Sequence, residues 1–358
     1  MIELVRAWYQ RHFSDPRVVS LALLLLGGLA LILLVGDILA PLLAAMILTY
    51  LLEGVVLKLQ AHHFPRLLAV VLVLLGALGL TLFLLLGLVP LLSNQITELI
   101  RELPHMVGRA QTYLLTLPTE YPELFNEQQM AELIDSLRGE IGSLGQSFVS
   151  FSIASAGNLI TFGIYLILVP TLMFFMLKDK AQILDWMRGF MPDNRSLIKE
   201  VWHEVDIKIG NYVRGKFIEI GIIWAVSYAT FFVMGLNYAL LLSALVGVSV
   251  IIPYIGAIAV TIPVALIAFF QWGVSAELLY LLIAYQVIQV LDGNVLVPVL
   301  FSEVVNLHPV AIIAAVVFFG GIWGAWGVFF AIPLATLVQA VLKAWPKFTE
   351  AAQAAEEG

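Results

Sequence analysis

The feature that most constrains the fold of this chain is a long stretch without a basic side chain. No lysine or arginine occurs between Phe217 and Leu342. Apart from tyrosines, the ionisable residues of the stretch are Glu219, Glu277, Asp292, Glu303 and His308. A water-soluble domain keeps charges of both signs on its surface to remain solvated. The stretch is therefore predicted to be buried in a lipid bilayer.

Proline and glycine interrupt the same stretch repeatedly. The interruptions are Pro253-Tyr-Ile-Gly256, Pro263, Asp292-Gly-Asn294, Pro298, Pro309, Gly320-Gly321 and Pro333. Inside a bilayer, such breaks are tolerated only where the backbone is buried in protein or lines a cavity. Apolar residues make up 61% of the whole chain and charged residues 12%, values that are typical of membrane proteins. We predict an all-α polytopic membrane protein whose C-terminal half carries the functional site.

Apolar runs long enough to cross a bilayer, which takes about 20 residues, occur throughout the chain. Before residue 236 they are Val18–Val35, Ile38–Leu52, Leu67–Leu92, Phe151–Leu177 and Phe217–Gly235. Five more segments follow, at about 239–252, 256–271, 276–291, 309–320 and 323–342. The first run follows three arginines and could be a signal peptide, but its length and the second run directly after it favour an uncleaved span.

The distribution of lysine and arginine predicts the orientation. Basic residues are concentrated in the N-terminal tail, around Lys58 and Arg66, and in residues 178–216, whereas residues 93–148 hold three arginines against eight carboxylates. The basic segments and both termini are therefore predicted to be cytoplasmic. Five crossings of the cation-free stretch, or three with a re-entrant hairpin, fit this orientation. We predict about eight crossings in total, with a hairpin folded back near Gly320-Gly321.

These patterns divide the chain into seven parts. They are a cytoplasmic tail (1–17), three spans (18–92), an extracytoplasmic helical segment (93–150), a fourth span (151–177), a cytoplasmic basic segment (178–216), a core with broken helices (217–343) and a cytoplasmic tail (344–358). In the extracytoplasmic segment, apolar residues recur every three or four positions and predict two amphipathic helices. These helices could pair with each other, lie on the bilayer, or join neighbouring protomers.

Signatures of enzymes are absent from the sequence. The chain has no cysteine, which excludes disulfides, thiolate metal sites and cysteine nucleophiles. It also lacks a phosphate-binding P-loop, a nucleophile elbow and a His-Glu-x-x-His zinc pair. His62 and His63 are adjacent, would point apart on a helix, and are interpreted as loop residues. We expect no enzymatic activity, no cofactor and no metal site.

Asp292 is the strongest candidate for a functional residue. It follows Gln286 and Gln289 and precedes Asn294 and Pro298. A carboxylate at membrane depth costs roughly 2.5–3.5 kcal/mol on insertion scales, so it usually faces a partner or a cavity. A bound cation, a proton or backbone N–H groups could stabilise it. Alternatively, Asp292-Gly-Asn294 is only a turn whose carboxylate caps the next helix.

Other residues of the cation-free stretch allow two interpretations each. Pro253 and Gly256 mark a helix break that could frame the same site. Glu303 and His308 flank a further break and could be site residues or part of a solvated loop. Glu219 and Glu277 lie at span ends and are interpreted as interfacial residues. A strip of glycines indicates close helix packing, or at a hairpin tip close approach to a ligand: Gly320, Gly321, Gly324 and Gly327.

The ordered set of motifs resembles the autoinducer-2 exporter family of permeases. The motifs are Phe174-Phe-x-Leu177-Lys-Asp179, Tyr212-x-Arg-Gly215, Ile252-Pro-Tyr-Ile-Gly256, Gln289-x-x-Asp292-Gly-Asn294-x-x-x-Pro298, Leu307-His-Pro309, Gly320-Gly-x-x-Gly324-x-x-Gly327 and Ala331-x-Pro-Leu334. The segment Leu296-Val-Pro-Val-Leu-Phe-Ser-Glu303 is similar to the corresponding segment in the PerM branch of that family. The resemblance implies a bacterial inner-membrane protein of about eight spans that forms homo-oligomers, with a pentamer as one form. It also associates the chain with autoinducer-2 export or sodium–proton exchange.

The favoured hypothesis is a secondary transporter that moves a small polar solute by alternating access. Asp292 would carry the charge of the site, and Gln286, Gln289 and Asn294 would supply hydrogen bonds. The alternatives are a sodium (lithium)/proton antiporter, a channel-like pore and a non-transporting envelope scaffold. The expected partners are membrane lipid and a small polar solute or monovalent cation, with coupling to H⁺ or Na⁺ as an option and no nucleic acid.

Overall fold

The structure is a computed structural model that describes residues 16–120, 159–189, 196–301 and 307–344, with a few positions between 126 and 139. All regular elements within these residues are helical. Seven helices among them are long and apolar enough to cross a membrane. The prediction of an all-α polytopic membrane protein is therefore confirmed, and about eight spans are consistent with the seven helices.

The first helix, α1 (Pro16–Ala61), contains both of the first two predicted spans. It is kinked at Val35, where φ is −132° and ψ is 17°, between the two predicted runs. Pro41 lies near the start of the second part, where its missing N–H removes little helical hydrogen bonding. A short turn at residues 62–65 then leads to the next helix.

The third predicted span and the outer segment form one continuous helix. The helix consists of α2 (Arg66–Phe83), a π-helical turn at Leu84–Leu88, and α3 (Val89–Glu120). The predicted boundary at residue 92 is thus not a structural break, because the amphipathic helix simply extends the span. The second predicted amphipathic helix, and with it the proposed pairing of the two, lies almost entirely outside the described residues.

The outer helix α3 contacts the C-terminal half of the chain at its outer end. The side-chain oxygen of Gln95 accepts a hydrogen bond from the backbone N–H of Leu241 at 2.8 Å. Arg109 donates to the carbonyl of Phe270 at 3.1 Å. Burial and the carboxylates of Glu102 and Glu98 raise the pKa of Tyr238, which is the N-cap of the helix that begins at Ala239. These contacts place α3 beside the ends of the helices that form the core.

The next three helices are α4 (Leu159–Lys178), α5 (Lys180–Arg188) and α6 (Ser196–Val233). Helix α6 runs without interruption through residue 216, where the sequence suggested a boundary between a basic segment and the core. The basic half of α6 and its apolar half are therefore one rigid element. Its apolar half packs in the largest buried cluster of the protein, with Phe231, Leu242 and Tyr285 among the members.

Helices α7 (Ala239–Ser249) and α8 (Ile255–Trp272) form a tight helical hairpin. Helix α7 has 11 residues, so it rises about 16 Å and is too short to cross a 30 Å bilayer core. The chain reverses at residues 250–254 and returns along α8. The hairpin therefore turns inside the membrane region, as the Pro253–Gly256 interruption indicated.

Helix α9 (Ala276–Leu291) continues through a π-helical turn at Asp292–Leu296 into α10 (Val297–Phe301). The interpretation of Asp292-Gly-Asn294 as a loop turn is wrong, because the helix does not end there. In a π-helix, hydrogen bonds run from residue i to i+5, which inserts one extra residue into the helix and shifts the side chains that follow. The interruption thus re-aims side chains without breaking the helix.

The last helix, α11 (Pro309–Ala344), folds back on itself at Gly324, where φ is 58° and ψ is −137°. Val316 and Ala331 from the two halves pack together. A side chain at Gly327 would place its Cβ 1.8 Å from the carbonyl oxygen of Phe319. The predicted hairpin near Gly320-Gly321 is present, and its turn lies three residues further along the chain, at the glycine whose positive φ the reversal requires.

Candidate functional site

A cavity of about 650 Å³ lies between α6, the α7–α8 hairpin, the Asp292 π-turn and α11. Except for Tyr254, its polar lining residues lie within the candidate spans Val201–Val233 and Ala276–Phe301, so the cavity lies among the membrane-spanning helices. The residues that carry polar side-chain atoms into it are Tyr212, Lys216, Glu219, Tyr254, Gln289 and Asp292. A volume of this size is in the range of small-molecule sites.

Lys216 is buried in the wall of this cavity and makes three contacts. Its ammonium nitrogen lies 2.6 Å from Oε2 of Glu219 and donates to the carbonyl of Val250 at 2.9 Å. It also lies 5.2 Å from the centre of the Phe301 ring. Val250 is the C-cap of α7, and a cation at a helix C-terminus is favourable. Lys216 therefore ties α6 to the tip of the hairpin.

Lys216 was not among the predicted site residues, and Glu219 was interpreted as a residue of the membrane–water interface. The Glu219 side chain is instead 2% exposed and lines the cavity. One signal was available, because Lys216 and Glu219 are three residues apart and so share one helix face. Their spacing at the edge of the cation-free stretch indicates an ion pair, but not that the pair faces Asp292.

Asp292 lies in the same cavity, on the first residue of the π-turn. Its Oδ1 atom is inaccessible to solvent and has no hydrogen-bond partner within the part of the chain that the structure describes. Lys216 acts on it electrostatically, but the ammonium group is already held by Glu219 and Val250. The cavity therefore contains two carboxylates and one lysine, with Asp292 as the carboxylate that lacks a direct partner.

The two glutamines predicted for the site lie on different faces of α9. Gln289 lines the cavity, and its Nε2 atom is buried. Gln286 is exposed on the outer face, in an apolar groove beside Ile283 and Val287. The structure thus brings Gln289 to Asp292, one helical turn apart, and separates Gln286 from both.

The hairpin tip closes one side of the cavity through Pro253 and Tyr254. The N–H of Ile255 donates to the carbonyl of Pro253 at 2.7 Å, and Tyr254 has a φ of 62° and a ψ of −52°. These values describe a classic γ-turn, which is rare and strained. Strained backbone of this kind is concentrated at functional sites.

Gly256 follows this turn at the closest approach of the two helices. A Cβ atom at this position would lie 1.8 Å from the carbonyl oxygen of Ser249. The motif Ile252-Pro-Tyr-Ile-Gly256 therefore builds the tip itself. Pro298, at the other side of the cavity, also lines it.

The remaining predicted site residues that the structure describes lie away from the cavity. Asn294 is exposed and donates to the carbonyl of Val290 at 2.9 Å, so it stabilises the π-turn. His308 is exposed, and its Nδ1 accepts from the N–H of Val310 at the start of α11. Glu303 lies outside the described residues. The hairpin of α11 contains the other three, which do not line the cavity: Gly320, Gly321 and Gly324.

The glycines of the α11 hairpin allow close helix packing and do not contact the cavity. A Cβ atom at Gly320 would meet the side chain of Val328 at 2.8 Å, whereas one at Gly321 would meet nothing within 4 Å. The hairpin instead contributes apolar side chains to the cavity, from Ile312 and Ile332. Among the residues the structure describes, no three histidine, aspartate or glutamate side chains form a group that could hold a metal ion.

Interrupted helices that enclose a charged cavity at membrane depth define a polytopic membrane transport protein. A comparison with protein families agrees, because the model of the AI-2E family transporters matches residues 20–347. The chain belongs to this family, as its motifs predicted.

Individual relatives support the family and the branch. The chain is 45% identical over 346 residues to PerM of Escherichia coli (strain K12), a candidate permease, with 97% of this chain and 98% of PerM covered. It is 26% identical over 253 residues to YueF of Bacillus subtilis (strain 168), a candidate transport protein, with 69% and 68% covered. The similarity to the PerM branch is therefore confirmed.

Proposed function

We propose that this protein is a secondary transporter that moves a small polar solute across the bacterial inner membrane by alternating access. The observation that carries the proposal is the cavity at membrane depth with the unpartnered Oδ1 of Asp292 in its wall. A buried polar atom without a hydrogen bond costs about 1–3 kcal/mol. A polar solute or ion that bonded to Asp292 would remove this cost, so the site favours occupation.

The hairpin tip offers a way to couple occupation to movement. Lys216 holds the tip through the carbonyl of Val250, while Glu219 and Asp292 share the cavity with it. A solute that hydrogen-bonds to Lys216 or changes the charge at Asp292 would weaken this tether. The tip of α7–α8 would then be free to move, which opens the cavity towards one side and not the other.

The proposal is tested by flux into vesicles that contain the purified protein. Asp292→Asn is expected to reduce flux of the transported solute by at least tenfold, on the order of the loss of one charge-assisted hydrogen bond. A panel of small polar metabolites, presented as a labelled mixture, identifies which solute is moved. Flux that is equal in wild type and Asp292→Asn would remove Asp292 from the mechanism.

Gln289 and Gln286 form a matched pair for the same assay. They share residue type and helix, but only Gln289 lines the cavity. Gln289→Ala is expected to raise the solute concentration needed for half-maximal flux, whereas Gln286→Ala leaves it unchanged. The reverse order would place the solute path on the outer face of α9.

The charge of the cavity favours exchange of a monovalent cation for a proton as a second candidate function. Two carboxylates face one lysine, so one negative charge is left for a proton or a cation. In vesicles with an imposed pH gradient and no organic solute, this candidate requires movement of Na⁺ or Li⁺ that Asp292→Asn abolishes. Cation movement that needs the organic solute would instead indicate coupled transport.

The proposed setting of the protein follows its family resemblance and its charge distribution. We place both termini in the cytoplasm, and we propose a homo-oligomer, with a pentamer as the form to test first. Neither a cofactor nor a chemical reaction is part of the proposal. Mass measurement of the detergent-solubilised protein by light scattering would test the oligomeric state.

A further inference from the structure

A second cavity, of about 390 Å³, lies where α4 ends and where α5 and α2 begin. It shares no lining residue with the cavity around Asp292, which we call the transport cavity. Four basic side chains line the second cavity, and two carboxylates accompany them: Arg66, Lys178, Lys180, Arg188, Asp179 and Asp185. Arg66, the first residue of α2, donates to the carbonyl of Leu177 at the end of α4 and so joins these two helices. We call this cavity the basic pocket.

The basic pocket lies at the boundary between membrane and water. Arg66 is the first residue of the candidate span Arg66–Arg109, and Lys178 is the last residue of the candidate span Thr161–Lys178. Two spans that end at the same place put the pocket at the level of the lipid headgroups. At this depth the ligand available at highest concentration is a phospholipid phosphate.

The basic side chains are incompletely neutralised by their neighbours. Arg66 and Lys180 share one oxygen, Oε1 of Glu53, at 3.5 and 3.4 Å, and Lys178 lies 3.5 Å from Asp179. Charge-assisted hydrogen bonds are about 2.7–2.9 Å long, so these contacts are loose. Arg66, Lys178 and Lys180 thus face two carboxylates, Glu53 and Asp179, which leaves a positive excess and donors that can turn towards an anion.

Helix α5 adds a membrane anchor to the pocket. It carries Trp186, which is 68% exposed, and Met187, which is also exposed, next to Arg188. Tryptophan is enriched where membrane meets water, and a helix with apolar and basic side chains lies in that interface. An exposed tryptophan beside a basic pocket thus provides one contact for acyl chains and one for a headgroup.

We propose that the basic pocket binds the phosphate headgroup of an anionic phospholipid, with Lys178 and Lys180 as its principal contacts. Basic pockets between membrane helices are known to bind such headgroups. The bound lipid would join α2, α4 and α5, and this role is independent of the solute path. The proposal therefore stands or falls separately from the proposed transport.

The experiment measures lipid binding to the intact purified protein in phosphatidylcholine nanodiscs, by native mass spectrometry, as phosphatidylglycerol is added. The double variant Lys178→Gln/Lys180→Gln is expected to weaken phosphatidylglycerol binding by about 25-fold, roughly fivefold for each charge. The control is Lys58→Gln, which removes an exposed lysine in the last turn of α1 that does not line the pocket. It is expected to leave binding unchanged.

A second variant keeps the test valid if loss of two lysines disturbs folding. Asp185→Asn removes an exposed carboxylate that competes for Arg188, and it is expected to tighten phosphatidylglycerol binding by about fivefold. Equal binding by wild type and all variants would show that the lipid is held without a site and would overturn the proposal. Displacement of the lipid by millimolar inorganic phosphate would also overturn it, in favour of a site for free phosphate.

Discussion

At the scale of single residues, the transport cavity depends on how one lysine is shared. Lys216 and Glu219 are 4% and 2% exposed, so each charge is stable only because the other is present. A buried pair of this kind is weak evidence for stability by itself, since both charges lose their hydration. Its value here is positional: it keeps a cation near Asp292 and anchors the hairpin tip at the same time.

Removal of one partner of this pair is expected to be costly. Lys216→Met leaves Glu219 buried without its cation, which should lower the free energy of unfolding by about 3–5 kcal/mol. The double variant Lys216→Met/Glu219→Leu should recover most of that loss, because no uncompensated charge remains. Thermal unfolding midpoints in one detergent measure both changes. A double variant that is as unstable as the single one would show that the lysine matters for packing and not for charge.

At the scale of elements, the α7–α8 hairpin is specified by one glycine. The clash at Gly256 is with a backbone carbonyl, which no side-chain rotation can relieve. The γ-turn at Tyr254 precedes it, so the backbone of the reversal has little room to adjust. The outer helix α3 also binds the start of α7 through Gln95 and the end of α8 through Arg109. The tip is therefore the least restrained part of the hairpin.

Gly256→Ala is expected to force α7 and α8 apart and to destabilise the protein by about 1–3 kcal/mol or more, with loss of flux. Gly221→Ala is the control, because it lies in α6 and a Cβ atom there meets nothing within 4 Å. That substitution should be neutral or slightly stabilising, since alanine favours a helix over glycine. Unfolding midpoints and flux are measured for both. Equal tolerance of the two substitutions would contradict the tight hairpin.

At the scale of the whole molecule, the long helix through α2 and α3 determines how the protein sits in the membrane. The apolar span Arg66–Arg109 has 44 residues, about 66 Å at 1.5 Å per residue, whereas a bilayer core needs about 30 Å. The excess extends into solvent on the side opposite to Arg66. We therefore expect the end of α3 and the basic pocket to lie on opposite sides of the membrane.

This arrangement is testable because the chain has no cysteine. A single cysteine at Thr112, an exposed position on α3, should react with a membrane-impermeant maleimide on intact cells. A cysteine at Lys58 should react only after the cells are permeabilised. The physical reason is the concentration of lysine and arginine on the Lys58 side, which is retained in the cytoplasm. Labelling of the Lys58 position alone on intact cells would invert the proposed orientation.

Much of the fold could be predicted from the sequence, because membrane burial imposes strong local rules. The predicted segment 256–271 differs by one residue at each end from α8, and the predicted segment 276–291 coincides with α9. The hairpin in α11 was predicted within three residues. The sequence left two interpretations open where local chemistry was ambiguous. Asp292-Gly-Asn294 has turn composition, yet the helix continues through it, with a hydrogen bond from Asn294 to the carbonyl of Val290.

The sequence by itself determined that this chain crosses a membrane, that its helices reverse near Pro253–Gly256 and near Gly320-Gly321, and that Asp292 needs a partner or a cavity. These properties follow from the cost of placing charge and unpaired backbone in lipid, which each segment meets locally. The prolines at 263, 298 and 333, also predicted as interruptions, lie inside helices. Only the tertiary structure decided which side chains share the cavity with Asp292. Lys216 and Glu219 are more than seventy positions from Asp292 along the chain. Gln286 and Gln289 lie within one helical turn of each other, yet only Gln289 lines the cavity. Which of them face one another depends on how α6, α9 and the hairpin pack, and that packing is not encoded by spacing within any one segment.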